Sequence, residues 1–339
     1  MTTPSMISPS ATTPPVTRRS LSTRHLVDPE LATAIDALPM GNIDATTLPA
    51  TRAAMASFVA PLESYARDSI ITERRSIPGP TGAPAVDVII YRPRAASKPR
   101  PIYLNIHGGG YVMGVAELNG PGNMRLADEL DCVVVSVEYR LAPETRAPGA
   151  LEDCYAALRW VYASADELGI DRARIAVGGE SAGGGLAAAL ALLARDRGEV
   201  PICFQFLVYP MLDDRTAVTP TPNPFTGEFV WTPESNHFAW QALLGHEPGS
   251  DTTSPYAAAA RATDLSGLPP TYICVGALDL FVDEDIAYAQ RLLRAGVPTE
   301  LHIIPGAYHA FEMAYQAVTT VVAQRERREV LARAFCSIA

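Results

Sequence analysis

From about residue 85 onward, short β-branched runs alternate with longer stretches of helical periodicity, and this alternation constrains the fold more than any other feature of the chain. Strands are expected over 86–91, 102–106, 132–139, 175–178, 203–209, 272–275 and 301–304, and helices over 150–163, 182–197, 283–295 and 312–336. Several of the strand runs are apolar on nearly every residue, as a strand must be when both faces of its sheet are covered. Strand–helix alternation of this kind predicts a mostly parallel sheet with helices on both faces. Right-handed crossovers then bring the C-terminal ends of the parallel strands to one edge, where ligands bind. No internal repeat is visible.

Two segments break the alternation. Residues 25–65 carry a helical pattern ahead of the first strand, with Asp28-Pro29-Glu30-Leu31 as a helix start. Residues 211–260 are rich in Pro, Thr and aromatics, including Phe225, Phe229, Trp231, Phe238 and Trp240. Insertions at the active edge of a sheet commonly form lids. The expected organisation is therefore a flexible tail over 1–24, the first part of a cap over 25–65, and a main body over 66–339 in which 211–260 contributes to the cap. The tail contains Arg18, Arg19 and Arg24 but lacks the apolar core of a secretory signal.

Composition excludes several chemistries. The chain has 48% hydrophobic residues, enough for a large core, and a formal net charge of −10, which favours no nucleic-acid partner. Its single lysine, Lys98, lies in the Pro-rich turn Ser97-Lys98-Pro99-Arg100-Pro101, so Schiff-base, Ser–Lys and phosphate-loop lysine mechanisms have no suitable residue. The five cysteines are scattered without a C-x-x-C pair, which indicates neither a metal site nor a disulfide framework. A reducing compartment, hence a cytoplasmic location, fits that pattern. No apolar run approaches the roughly 18–20 residues that span a bilayer.

The sharpest local signal is Gly178-Gly179-Glu180-Ser181-Ala182-Gly183-Gly184-Gly185, between a strand and a helix. A serine on so tight a turn presents its hydroxyl openly, and flanking side chains would clash, hence glycine on both sides. The alternative, a glycine-rich phosphate cradle, is disfavoured because Glu180 would repel a phosphate and no lysine follows.

A serine nucleophile needs a base that is neutral at working pH, which histidine provides. Of six histidines, His309 follows the 301–304 strand through Pro305-Gly306-Ala307-Tyr308, on the same edge as Ser181. The imidazole in turn needs an orienting carboxylate. Asp279 follows the 272–275 strand onto that edge, with Asp283 as the alternative; acidic residues at 283–285 also suit a helix N-terminus. The order Ser181, Asp279, His309 is that of α/β-hydrolases. An anionic intermediate requires N–H donors, and His107-Gly108-Gly109-Gly110 follows the 102–106 strand where such a loop belongs. A His-Gly-Gly-Gly match arises by chance in only about 0.002 chains of this length. The N–H of Ala182 would be a further donor.

With these residues in view, the chain resembles the hormone-sensitive-lipase-like carboxylesterases of the α/β-hydrolase fold, the bacterial family IV esterases, from about residue 25 to its end. The resemblance rests on His107-Gly108-Gly109-Gly110-Tyr111, Glu138-Tyr139-Arg140-Leu141-Ala142-Pro143-Glu144, Gly179-Glu180-Ser181-Ala182-Gly183-Gly184, Asp279-Leu280-Phe281-Val282-Asp283-Glu284 and Gly306-Ala307-Tyr308-His309-Ala310-Phe311. It implies a sheet of about eight strands under a helical cap. Ser181 would be the nucleophile, His309 the general base then acid, and Asp279 its orienter. Gly109, Gly110 and Ala182 would supply oxyanion donors. His107, Gly108, Tyr111 and Trp231 are expected around the substrate. The family's pattern implies no metal or organic cofactor, and frequent dimers. Glu180 departs from it, standing where Asp or Thr is common.

The expected activity is hydrolysis of short- to medium-chain acyl or aryl esters through an acyl-enzyme. Amide hydrolysis on the same residues is the runner-up, and a small-ligand receptor that keeps the fold without turnover is the alternative from another class.

Overall fold

The structure, a computed structural model, describes residues 22–36, 41–57, 59, 61–95 and 99–336. Lys98 and nearly all of the expected tail lie outside the described residues. Eight strands form one sheet: β1 (Ile70–Ile77), β2 (Val86–Pro93), β3 (Arg100–Ile106), β4 (Val133–Glu138), β5 (Ile170–Glu180), β6 (Phe204–Val208), β7 (Thr271–Gly276) and β8 (Thr299–Ile304). Their spatial order is β1-β2-β4-β3-β5-β6-β7-β8, with β1–β2 and β2–β4 antiparallel and every later pairing parallel.

The helices are α1 (Pro29–Ile35), α2 (Leu48–Ser57), α3 (Leu62–Tyr65), α4 (Gly120–Glu129), α5 (Gly149–Ala163), α6 (Ala165–Leu168), α7 (Ala182–Arg197), α8 (Pro233–Leu244), α9 (Val282–Arg294) and α10 (Val318–Cys336). Alternation along the strands splits the core into two layers. Ile102, Leu104 and Ile106 of β3 join a cluster with residues of α5, α7, α8 and α9. Tyr103 of β3 and Val134 of β4 join another with Leu31 of α1, Met124 of α4 and Phe335 of α10. Two covered faces explain why the central strands are apolar throughout. Helix α7 is buried from Ala182 to Ala194, which its small, uniformly apolar residues permit.

Several elements depart from the sequence expectation; helices α4 and α6 were not expected at all. Strand β1 was absent from it because Thr72-Glu73-Arg74-Arg75 interrupts the apolar pattern, which an edge strand tolerates. The last helix starts at Val318 rather than 312, since Phe311–Met313 forms a separate 3₁₀ turn. Helix α1 begins where its start signal stands, with the Asp28 side chain accepting from the Glu30 N–H at 2.8 Å. Among the described residues no helix is long and apolar enough to cross a membrane.

The two segments that broke the alternation lie against each other. The Ile43 N–H donates to Ser235 Oγ at 3.0 Å, and Thr232 Oγ1 donates to Asn42 Oδ1 at 2.8 Å. Arg52 of α2 reaches into the main body: its Nε donates to the Val112 carbonyl at 2.6 Å, and its fork pairs with Glu144.

Candidate active site

Strand β5 runs directly into α7, and Ser181 occupies the junction with φ 56° and ψ −122°. A β-carbon at Gly179 would lie 2.2 Å from the Ile106 carbonyl oxygen, and one at Gly183 would lie 2.0 Å from the same atom. Glycine at both positions is therefore what lets the turn press against β3. The Ser181 N–H donates to the Val208 carbonyl at 2.9 Å, and its own carbonyl accepts from Met211 N–H at 3.0 Å. The turn is thus anchored to the chain that leaves β6.

His309 and Asp279 arrive on neighbouring loops that are bonded together. The Leu278 N–H donates to the Ala307 carbonyl at 2.9 Å, while Tyr308 OH donates to the Leu31 carbonyl at 3.0 Å. His309 Nδ1 lies 2.8 Å from Asp279 Oδ2, and its Nε2 lies 2.9 Å from Ser181 Oγ. An ionised carboxylate can only accept, so the ring donates from Nδ1 and presents Nε2 as acceptor to the hydroxyl. Asp279 Oδ1 accepts from the Phe281 N–H at 3.0 Å, which fixes the carboxylate plane. All three side chains are buried. Asp283, the alternative acid, is exposed and accepts from Asn223 Nδ2 at 3.3 Å.

The glycine loop after β3 abuts the same turn: a β-carbon on Gly108 would lie 3.5 Å from Ser181 Cβ. Gly109, Gly110 and Tyr111 all have positive φ, at 122°, 59° and 65°. Among the described residues, the N–H groups of Gly109, Gly110 and Ala182 donate to no protein acceptor. Trp231 packs on Gly110 and has its ring 6.2 Å from that of His309. It follows Val230, whose φ of 64° is strained for a β-branched residue.

The structure brings Ser181, Asp279, His309, Gly108, Gly109, Gly110, Ala182 and Trp231 together. The side chains of His107 and Tyr111 are engaged within the fold. His107 is fully buried and stacks on Tyr139 at 4.2 Å; burial pushes its imidazole down to about 4, so it is neutral. Tyr111 OH donates to the Met211 carbonyl at 2.7 Å.

Sequence reasoning missed Glu284. It read as one of three acids at a helix start, but its carboxylate accepts from the Leu212 and Asp213 N–H groups at 2.6 and 3.1 Å and from the Thr216 hydroxyl. It thereby holds the segment that leaves Ser181's neighbour Met211. Burial keeps its carboxyl well above the usual range. Helical periodicity placed Glu284 correctly but carried no sign of the loop it would meet.

The chain matches the family described as alpha/beta hydrolase fold over residues 103–313. It is similar to the carboxylesterase NlhH of Mycobacterium tuberculosis, 36% identical over 290 residues that span 84% of this chain and 88% of the relative. Among solved structures it is similar to a bacterial heroin esterase, with 42% identity and a TM-score of 0.87 over 93% of this chain and 99% of that one. It is also similar to the esterase LipW from Mycobacterium marinum, with 35% identity and a TM-score of 0.78 over 93% and 98% of the two chains. The chain therefore belongs to the α/β-hydrolase-fold family, among its hormone-sensitive-lipase-like carboxylesterases, and is a carboxylic ester hydrolase.

Proposed function

We propose that this hydrolase cleaves short- to medium-chain acyl or aryl esters through an acyl-enzyme on Ser181. The observation that carries the reading is the unbroken chain from Ser181 Oγ to His309 to Asp279, at 2.9 and 2.8 Å. His309 Nε2 takes the hydroxyl proton as Oγ attacks the ester carbonyl, and Asp279 stabilises the imidazolium that results. The carbonyl oxygen becomes anionic beside the N–H groups of Gly109, Gly110 and Ala182, which donate to no acceptor among the described residues and so suit it. Ala182 opens α7, so the positive end of the helix dipole favours the same charge. The intermediate collapses as His309 returns the proton to the leaving alcohol, and water then repeats the cycle on the acyl-enzyme. Side chains, substrate and water account for every proton and electron pair.

Residues 25–65 and 211–260 are the cap of this proposal, and Trp231 is its wall against the acyl or aryl group. Such a wall favours acyl chains shorter than about ten carbons; each methylene accommodated in an apolar pocket is worth about 1–3 kcal/mol. The test is hydrolysis of p-nitrophenyl esters from acetate to palmitate by wild type and Ser181→Ala, with fluorophosphonate labelling of both. Labelling at Ser181 and loss of turnover in the variant are expected. Wild-type activity in Ser181→Ala, a kcat/KM profile that peaks at palmitate, or faster cleavage of matched amides would each overturn the corresponding part.

A further inference from the structure

Beyond the Tyr209 ring that flanks His309 stands a second group of charges that these reaction steps do not use. Glu312 lies three residues beyond His309; its Oε1 accepts from Arg327 of α10, and its Oε2 accepts from Tyr209 OH at 3.0 Å. The Arg327 guanidinium sits 5.8 Å from the Tyr209 ring centroid and 5.5 Å from that of Phe311. The Tyr209 ring meets His309 edge-on at 4.7 Å. The side chains of Arg327 and Glu312 are only 8% and 16% exposed, so little water screens them. Arg327 Nη2 reaches Cys274 Sγ at 3.4 Å, and its Nε has no partner among the described residues. A buried ion pair this incompletely bonded stabilises a fold no better than apolar packing would.

We propose that the Arg327–Glu312 pair, relayed through Tyr209, is a positioning unit that sets how readily His309 accepts the Ser181 proton. The inference rests on the Ser181–His309–Asp279 reading. When His309 becomes a cation, Arg327 opposes it and Glu312 favours it. The other ionisable groups that meet the imidazole are Asp279 after β7, Glu180 at the end of β5 and Tyr209 itself; Asp285 on α9 acts on Asp279, and Glu284 beside it faces the chain after β6. Burial holds Glu284 and Asp285 well above the usual carboxylate range. Desolvation pushes Glu180 up to about 7, with Glu312 adding to the shift and Arg327, Asn119 and His309 opposing it. Glu180 therefore holds a proton more readily than a free carboxyl and damps changes in the cluster.

The experiment measures the acid limb of two pH profiles in the full chain: the rate of fluorophosphonate labelling, and kcat/KM for p-nitrophenyl acetate. Glu312→Gln keeps the side chain's shape but leaves the guanidinium unopposed. Its acid limb moves to lower pH by about one unit, the scale of one charge roughly 10 Å away at an effective dielectric of about 20. Arg327→Met leaves Glu312 unopposed and moves the limb to higher pH, by less, because Glu180 takes up a proton. The double variant returns the limb towards that of wild type. A limb unmoved in Glu312→Gln overturns the proposal even if Arg327→Met does not fold, as does movement in the same direction in both single variants. Failure to label Ser181 in wild type would instead sink the underlying triad, and the proposal with it.

Discussion

Gly110→Ala tests whether the glycine loop is a positioned donor or a mere turn. At φ 59° Gly110 holds a left-handed backbone, and a β-carbon there would lie 2.2 Å from Cη2 and 2.8 Å from Cζ2 of Trp231. Ordinary carbon–carbon contact is about 3.5–4.0 Å, so ring and loop must part by more than about 1 Å. The indole cannot simply swing away, because it is buried and its Nε1 donates to Asn236 Oδ1 at 3.2 Å. The left-handed conformation costs alanine about 1–2 kcal/mol, and overpacking adds about 1–3 kcal/mol. At about 2.1 cal/mol/K of unfolding entropy per residue, a chain of this size loses about 1.4 °C per kcal/mol, so Tm falls by roughly 3–7 °C. The N–H of Gly110 moves with the loop, and losing one oxyanion donor lowers kcat by about 10²–10³. The assay is kcat and KM for p-nitrophenyl acetate beside a thermal melt, with Trp231→Leu added to Gly110→Ala as the relief variant. That second change removes the clash but not the backbone cost, so it restores part of the rate. A Gly110→Ala enzyme with kcat within about threefold of wild type and an unmoved Tm would refute the assignment.

Asp279→Asn lowers kcat by about 10⁴ while Asp283→Asn changes it by less than about threefold, because only the former bonds the imidazole; equal losses would contradict the geometry. Trp231→Ala shifts the p-nitrophenyl ester profile towards longer acyl chains, and an unchanged profile would remove Trp231 from the pocket wall. Glu138 is pushed up by burial from its usual 4.5 to about 7, while its Oε2 accepts from the Ala116 N–H at 2.5 Å. A carboxyl raised in the folded state gives its full contribution below the unfolded pKa and loses it as pH rises through the folded one. That loss is up to about 3 kcal/mol, less whatever partial exposure screens. Glu138→Gln should therefore flatten Tm between about pH 5 and pH 8, and parallel wild-type and variant curves would count against it.

What the linear chain determined by itself was set by local chemistry. Apolar runs on strands such as β3 and β4 demand cover on both faces, and glycines flanking Ser181 demand a turn too tight for side chains. Those constraints act within a few residues, so they are readable without coordinates, and they put Ser181, Asp279 and His309 on loops at one sheet edge. Strand β1 escaped because its charged centre carries no apolar alternation; only pairing with β2 reveals it. Tertiary structure settled the choice between the two acids, because Asp279 stands on the loop before α9 and reaches the imidazole, whereas Asp283 lies in the exposed first turn of that helix and meets Asn223. It also decided that Arg327, Glu312 and Tyr209 share one buried network, and that His107 stacks within the core. Such contacts depend on where distant segments come to rest, and charge or aromaticity in a sequence does not encode its eventual neighbour.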